Sequence, residues 1–135
     1  MKNKIDFKIY SIDGKVYEDE IDAIYLDVPD AGVIGILPSR TPYAALLNLA
    51  TFYIVKNGMK IHFAISGGSI NFKDGEAIVL ALTYEKEDEL NRERIEKARD
   101  EALKELSTID KKDELAYEKV TFNLKKAFNR LKLLK

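Results

Sequence analysis

The chain has 135 residues, of which 46% are hydrophobic, with a formal net charge of −1 and no cysteine. That length suits one or two small domains burying roughly two-thirds of their extended surface. The near-neutral charge excludes generic nucleic-acid binding, which needs a basic face. The lack of cysteine excludes a disulfide scaffold and cysteine metal sites, and it fits a reducing compartment. No segment approaches the ~18 apolar residues that span a bilayer, and the start MKNKIDFKIY carries no signal-peptide hydrophobic region. The expectation is a soluble protein that reaches a membrane only through a partner.

In chain order, Ile5, Phe7 and Ile9 alternate with Asp6, Lys8 and Tyr10, predicting a half-buried strand. Asp13-Gly14 turns it, and Lys15-Val16-Tyr17 leads back. A second strand is predicted from Glu20, with Ile21, Ala23, Tyr25 and Asp27 opposite Asp22, Ile24, Leu26 and Val28. Pro29-Asp30-Ala31-Gly32 is a turn. The stretch from Gly35 to Pro42 reads as bent, because Pro38 and Pro42 forbid an inner-sheet ladder. Ala44 to Leu49 is a short apolar run, Thr51 to Val55 a strand, and Lys56-Asn57-Gly58 its end.

Ile61 to Ala81 is expected to be a meander folded on two tight corners. Ile61, Phe63 and Ile65 alternate with His62 and Ala64; Ser66-Gly67-Gly68 breaks the run, and Ile70 and Phe72 resume it. Lys73-Asp74-Gly75 is a hairpin signal, and Ala77 to Ala81 reads as a strand buried on both faces. Turns at roughly 8–12-residue spacing predict an antiparallel β-sandwich.

Near Thr83 the composition changes. Residues 1–84 hold 8 basic and 10 acidic side chains, whereas residues 85–135 hold 14 and 13, so a second unit is expected over 85–135. From Asp88 to Leu106 the positions Leu90, Ile95, Ala98, Ala102, Leu103 and Leu106 form one narrow helical stripe. Ser107 to Asp110 interrupts it, with Asp110 as N-cap of a second helix carrying Ala116, Val120, Leu124, Ala127, Leu131 and Leu134. The fold class expected is therefore an N-terminal antiparallel β-sandwich plus a C-terminal antiparallel two-helix hairpin. The helical stripes are thin, so the pair depends on packing against something else. After Glu118 the chain has no acidic residue, while Lys119, Lys125, Lys126, Arg130 and Lys132 are basic. These either complement the helix macrodipole or form a basic surface for an acidic partner.

Conventional catalytic chemistry is absent from the motifs. Ser66 sits in A-I-S-G-G, without the leading glycine of a nucleophile elbow and without a following helix. Gly32 to Arg40 lacks the Gly-Lys-Ser/Thr ending of a P-loop. His62 is the sole histidine and reads as a strand surface residue; the carboxylates of 85–101 are spaced as a charged helix, so no metal site is expected.

The ordered set G-K-V-Y-E-D-E-I-D (Gly14 to Asp22), G-x-x-G-I-L-P (Gly32 to Pro38) and S-G-G (Ser66 to Gly68), followed by a charged hairpin, resembles the epsilon subunit of F-type ATP synthases. The likeness covers essentially the whole chain. It implies a sandwich (residues 1–84) that binds the central stalk, set against the gamma subunit and the membrane rotor ring. It implies a regulatory hairpin (residues 85–135) that folds on the sandwich or extends to the catalytic alpha and beta subunits and inhibits ATP hydrolysis. The protein would sit peripherally on the cytoplasmic face of the cell membrane, coupling the catalytic head to proton transport, with no catalytic site of its own and no required cofactor.

By the same resemblance, Asp30, Val33, Ser39 and Arg40 belong to the loop facing the rotor ring, and Lys119, Lys125, Lys126, Arg130 and Lys132 to the inhibitory basic surface. Some bacterial members bind ATP on the folded hairpin; the matching positions are Glu85, Leu90, Asn91, Arg94, Lys126 and Arg130. The chain departs from the family pattern in several places. Ser39-Arg40 stands for Gly-His, Val33 for a glutamate, Asn91 for an aspartate, Ile95 for an alanine and Glu101 for an arginine. The expectation is that ATP is at most a weak regulatory ligand. The alternatives are a free-standing ATP-sensing module and a hydrolase using the Ser66 corner.

Overall fold

The computed structural model describes residues 3–28 and 31–134. It divides into two compact units, Met1–Glu87 and Asp88–Lys135.

The first unit contains eight strands: β1 (Ile5–Ser11), β2 (Val16–Ile21), β3 (Ala23–Val28), β4 (Gly32–Ile36), β5 (Tyr43–Lys56), β6 (Met59–Lys73), β7 (Glu76–Ala81) and β8 (Tyr84–Lys86). Their order is β2-β1-β7-β6-β5-β3-β4, with β8 also on β6. The path folds into two layers because β5 and β6 are long enough to serve both. Phe63 to Ile65 of β6 pair with β8, and Gly68 to Lys73 pair with β7. Between the layers, Phe7 of β1 meets Phe52 of β5 and Phe63 of β6, with ring centroids 6.1 and 6.3 Å apart. Ile5, Phe7 and Ile9 are fully buried, as their alternation requires. All pairings are antiparallel except that of β1 with β7, which is parallel.

The β5–β6 and β6–β7 hairpins take the primed-turn geometry that suits strand twist. Asn57 and Gly58 have φ of 51° and 78°, and Asp74 and Gly75 have 51° and 77°. The prolines at 38 and 42 fall in the connection between β4, at the sheet edge, and β5.

Several strand expectations need correction. The stretch from Glu20 to Val28 is not one strand: it breaks at Asp22, whose carboxylate accepts from the Asn57 N–H at 2.9 Å and pairs with Lys4. Ala44–Leu49 and Thr51–Val55 are parts of one strand. Ser66-Gly67-Gly68 is no corner between strands. It is a bend inside the 15-residue β6, with φ of 87° at Gly67 and 146° at Gly68. Finally, β7 is buried on one face only: Ala77, Val79 and Ala81 are inside, while Leu80 is 54% exposed.

The sheet also runs past residue 84, since Glu85 and Lys86 pair with Ala64 and Phe63. A 3₁₀ turn, Glu87–Glu89, follows.

The second unit is α1 (Arg92–Thr108) and α2 (Glu114–Leu131), packed as a hairpin with Ile95, Ala102, Val120 and Ala127 buried. α1 starts later than the apolar stripe suggests, because Asn91 caps it by accepting the Arg94 N–H at 3.0 Å. The Ser107 and Thr108 hydroxyls donate to the carbonyls of Lys104 and Glu105 at its end. The N-cap of α2 is Asp113, not Asp110: Asp113 accepts from the Ala116 N–H, while Asp110 accepts from the Lys112 N–H within the preceding turn.

Gly68 is the tightest point of the sandwich. A Cβ there would lie 2.0 Å from the Leu80 carbonyl oxygen and 3.0 Å from the Ala81 Cα, both backbone. Gly68→Ala is expected to cost about 3 kcal/mol through overpacking and left-handed strain together. Urea denaturation measures it, and a loss below ~1 kcal/mol would contradict the close approach.

Candidate docking surfaces

The first unit carries a row of side chains across four adjacent strands, with Leu46 and Leu80 exposed and Tyr10 and Ser69 half-buried. Tyr10 on β1 stands opposite Leu80 on β7, Leu80 opposite Ser69 on β6, and Ser69 opposite Leu46 on β5. With Ile12 and Leu82 they surround a hollow of about 440 Å³, also lined by Ser11, Gly68 and Ala81. Leu46 is 87% exposed and Ile12 79%. No charged side chain lines it. The surface is built by the bend at Gly67-Gly68, where the backbone of β6 comes up under Leu80 and Leu82. Adjacent large aliphatic side chains open to water mark an interaction surface more often than isolated ones do. Sequence reasoning missed it. The one signal, apolar residues at both parities from Ala77 to Ala81, reads by pattern alone as a strand buried on both faces.

A second surface lies along the edge strand and its connection. Val33 on β4 stands opposite Asp27 of β3 and is exposed, as is Leu37. Ser39 is exposed, and the Arg40 guanidinium sits 4.9 Å over the Tyr43 ring, a cation–π stack. Asp30, the fourth residue of the expected ring-facing loop, lies outside the described residues.

The basic residues of α2 do not form one surface. Lys119, Lys126 and Arg130, spaced by seven and four, share one face of the helix, whereas Lys125 and Lys132, spaced by seven, share another. Leu115 and Phe122, both exposed, fall beside the first of these stripes.

The residues matched to an ATP site are distributed as follows. Leu90 precedes the cap of α1, Asn91 is the cap, and Arg94 is in the first turn. Lys126 and Arg130 are in the last turns of α2, so the antiparallel hairpin puts them at the same end as Arg94. Glu85 stands on β8 in the first unit. Asn91 already has a structural task, since its side-chain oxygen caps α1. Glu101 lies with Glu93, Glu96 and Asp100 along one side of α1, where Lys97 and Lys104 are interleaved.

Ser66 is buried, its hydroxyl bonded to that of Thr83 and its N–H donating to the Thr83 carbonyl at 3.0 Å. These bonds tie β6 to the segment before β8. His62 lies beside Tyr53 across the β5–β6 ladder, ring centroids 5.2 Å apart. Among the described residues, no group of three or more His, Cys, Asp and Glu is arranged to hold a metal ion.

A β-sandwich with this exposed row, followed by a two-helix hairpin, agrees with a known architecture. The family model for the ATP synthase delta/epsilon chain, beta-sandwich domain, matches residues 4–87. The ATP synthase epsilon chain of Desulforamulus reducens is 32% identical over 117 residues, 87% of this chain and 86% of that protein. That of Chloroflexus aggregans is 35% identical over 98 residues, 73% and 70% respectively. That of Bacillus cytotoxicus is 30% identical over 123 residues, 91% and 90%. The chain therefore belongs to the epsilon-chain family of the F-type ATP synthases. Among solved structures, a chain of the Euglena gracilis mitochondrial ATP synthase (OSCP/F1/c-ring) superposes with a TM-score of 0.82. The match covers 100% of this chain and 84% of that chain at 18% identity, a likeness of fold.

The capping role of Asn91 is directly testable. Asn91→Ala is expected to destabilise α1 by about 1 kcal/mol, whereas Asn91→Asp keeps an acceptor at the helix start and costs almost nothing. Thermal unfolding followed by circular dichroism at 222 nm distinguishes them; equal loss in both variants would contradict the cap.

Proposed function

We propose that this epsilon chain is a rotor subunit of the central stalk. Its sandwich docks on the gamma subunit through the Tyr10–Leu80–Ser69–Leu46 row and turns the Val33 to Arg40 region toward the membrane ring. In that position it couples the catalytic head to transport through the ring. The observation that carries this reading is the exposed apolar row, on the unit matched by the family model. Covering a leucine side chain contributes ~1.5–3 kcal/mol, and a hollow without charged lining suits an apolar partner surface.

The hairpin regulates ATP hydrolysis. Its helices bury few described side chains, Ile95, Ala102, Val120, Ala127 and Asn129, two of them alanines, so little apolar area holds the pair together. The stripe of Lys119, Lys126 and Arg130 suits acidic segments of the catalytic alpha and beta subunits, with electrostatic steering that weakens with salt. ATP acts at most as a weak regulatory ligand at the Arg94, Lys126 and Arg130 end of the hairpin. Asn91 is spent on a cap, and it lacks the charge that would orient a neighbouring arginine.

The chain turns nothing over itself. Its one serine in a strand-bend motif, Ser66, has its buried hydroxyl engaged with that of Thr83. Membrane association runs through partner subunits at the cytoplasmic face; no described helix is long and apolar enough to cross a bilayer.

The test is co-purification of the full chain with the gamma subunit. Leu46→Glu with Leu80→Glu is expected to weaken the complex about 100-fold, the loss of ~3 kcal/mol of apolar burial. Val33→Glu, on the edge strand, is expected to leave it intact. Undiminished binding by the double variant would overturn the docking assignment.

A further inference from the structure

β8 is only three residues long and pairs with β6 alone among the described strands. A strand so short, with one neighbour, is poorly held by its ladder. Yet it is the last piece of sandwich before the connector of residues 87–91 leads into α1.

Two lysine–tyrosine contacts reach β8 from the β1–β2 hairpin. Lys15 Nζ lies 4.6 Å from the Tyr84 ring centroid and donates to the Tyr84 carbonyl at 3.2 Å. Lys86 Nζ lies 5.8 Å from the Tyr17 ring centroid. The exchange is reciprocal, each segment giving one lysine and one tyrosine. Both rings rest on the fully buried Phe63: Tyr17 edge-on at 5.3 Å and Tyr84 at 6.3 Å. The Tyr17 hydroxyl donates to Asp19 at 3.1 Å, and Asp19 is held in turn by Lys56 at 2.8 Å. Burial, with that bond, pushes the Tyr17 phenol up to about 12, so the ring stays neutral. The Ser66–Thr83 bonds secure the residue just before β8.

We propose that this reciprocal clasp, Lys15 on Tyr84 and Lys86 on Tyr17, is a positioning device that holds β8 in the sandwich and confines displacement of the helical unit to residues 87–91. The regulatory meaning rests on the hairpin reading above; the clasp itself belongs to the first unit. Its consequence is a fixed reach. Five connector residues span at most roughly 17 Å when extended, whereas release of the chain back to Leu82 would give roughly 34 Å. The clasp thus sets how far the start of α1 travels from the sandwich. Cation–π contacts are individually weak, so both lysines are needed.

Hydrogen exchange on the full chain, read by mass spectrometry, tests it. In the unmodified protein a peptide covering 82–86 should be protected and one covering 88–91 should exchange freely. In Lys15→Met with Lys86→Met, which loses two cation–π contacts and the Lys15 bond to the Tyr84 carbonyl, the 82–86 peptide should exchange at least roughly tenfold faster. Peptides from β1, β5 and β7 should be unchanged, and Lys15→Arg with Lys86→Arg should retain protection. Unchanged exchange of 82–86 in the methionine variant overturns the clasp. So does equal acceleration throughout the sandwich, or free exchange of 82–86 in the unmodified protein. None of these outcomes involves gamma binding or ATP hydrolysis, so failure of the clasp and failure of the stalk reading are separate results.

Discussion

The sandwich depends on the approach of the β6 backbone to β7 at Gly68. With no Cβ at that position, β6 bends through Gly67-Gly68 without ending, and one strand serves both layers. β5 follows it along thirteen paired positions, so the bend of one strand shapes its neighbour. Two features described above follow from this. The inner faces of β1, β5 and β6 close around Phe7, Phe52 and Phe63. The outer faces of β1, β7, β6 and β5 align Tyr10, Leu80, Ser69 and Leu46 in one row open to water. The buried core and the exposed apolar row are therefore two sides of one backbone event.

The two units obey different physics. The first is held by large buried side chains and by fixed turns, and its edges carry polar anchors such as Asp22 with Lys4 and the Asn57 N–H. The Lys4 bond comes first among the causes that hold the Asp22 carboxyl below its ordinary range, with the Asn57 bond next. The second unit buries few side chains, mostly small, and is capped at both helix starts by single side chains, Asn91 and Asp113. In the proposed function, a heavily packed sandwich joined through a short connector to a lightly held hairpin separates attachment from regulation. Small differential contacts suffice to shift a lightly held element, and a heavily packed one resists them.

Much of this was legible in the residues, for identifiable reasons. Ile5, Phe7 and Ile9 follow the pleat because one face of β1 meets the core, and Asn57-Gly58 and Asp74-Gly75 mark turns because few other residues take positive φ there. Periodicity misled where a long-range contact decides the outcome. Apolar residues on both faces of β7 look like double burial, although a chain that docks on a partner shows the same pattern. Two glycines look like a corner, although the gain at Gly68 is a close approach to Leu80, far away in sequence. Asp110 and Asp113 are both good caps by composition, and the turn held by the Asp110 carboxylate left the cap to Asp113. Of the site, the family motifs gave the candidate residues, but the clasp of Lys15, Tyr17, Tyr84 and Lys86 joins positions that no local pattern connects.

The central claim is that attachment resides in the sandwich and restraint in the hairpin. The most direct measurement is ATP hydrolysis by the assembled synthase containing this chain with residues 88–135 deleted, at low and at high salt. The account predicts that the complex still assembles with the gamma subunit and hydrolyses ATP faster than with the full chain, with the difference greatest at low salt, where the basic stripe of α2 acts most strongly. Failure of the truncated chain to assemble, or equal rates at both salt concentrations, would contradict it.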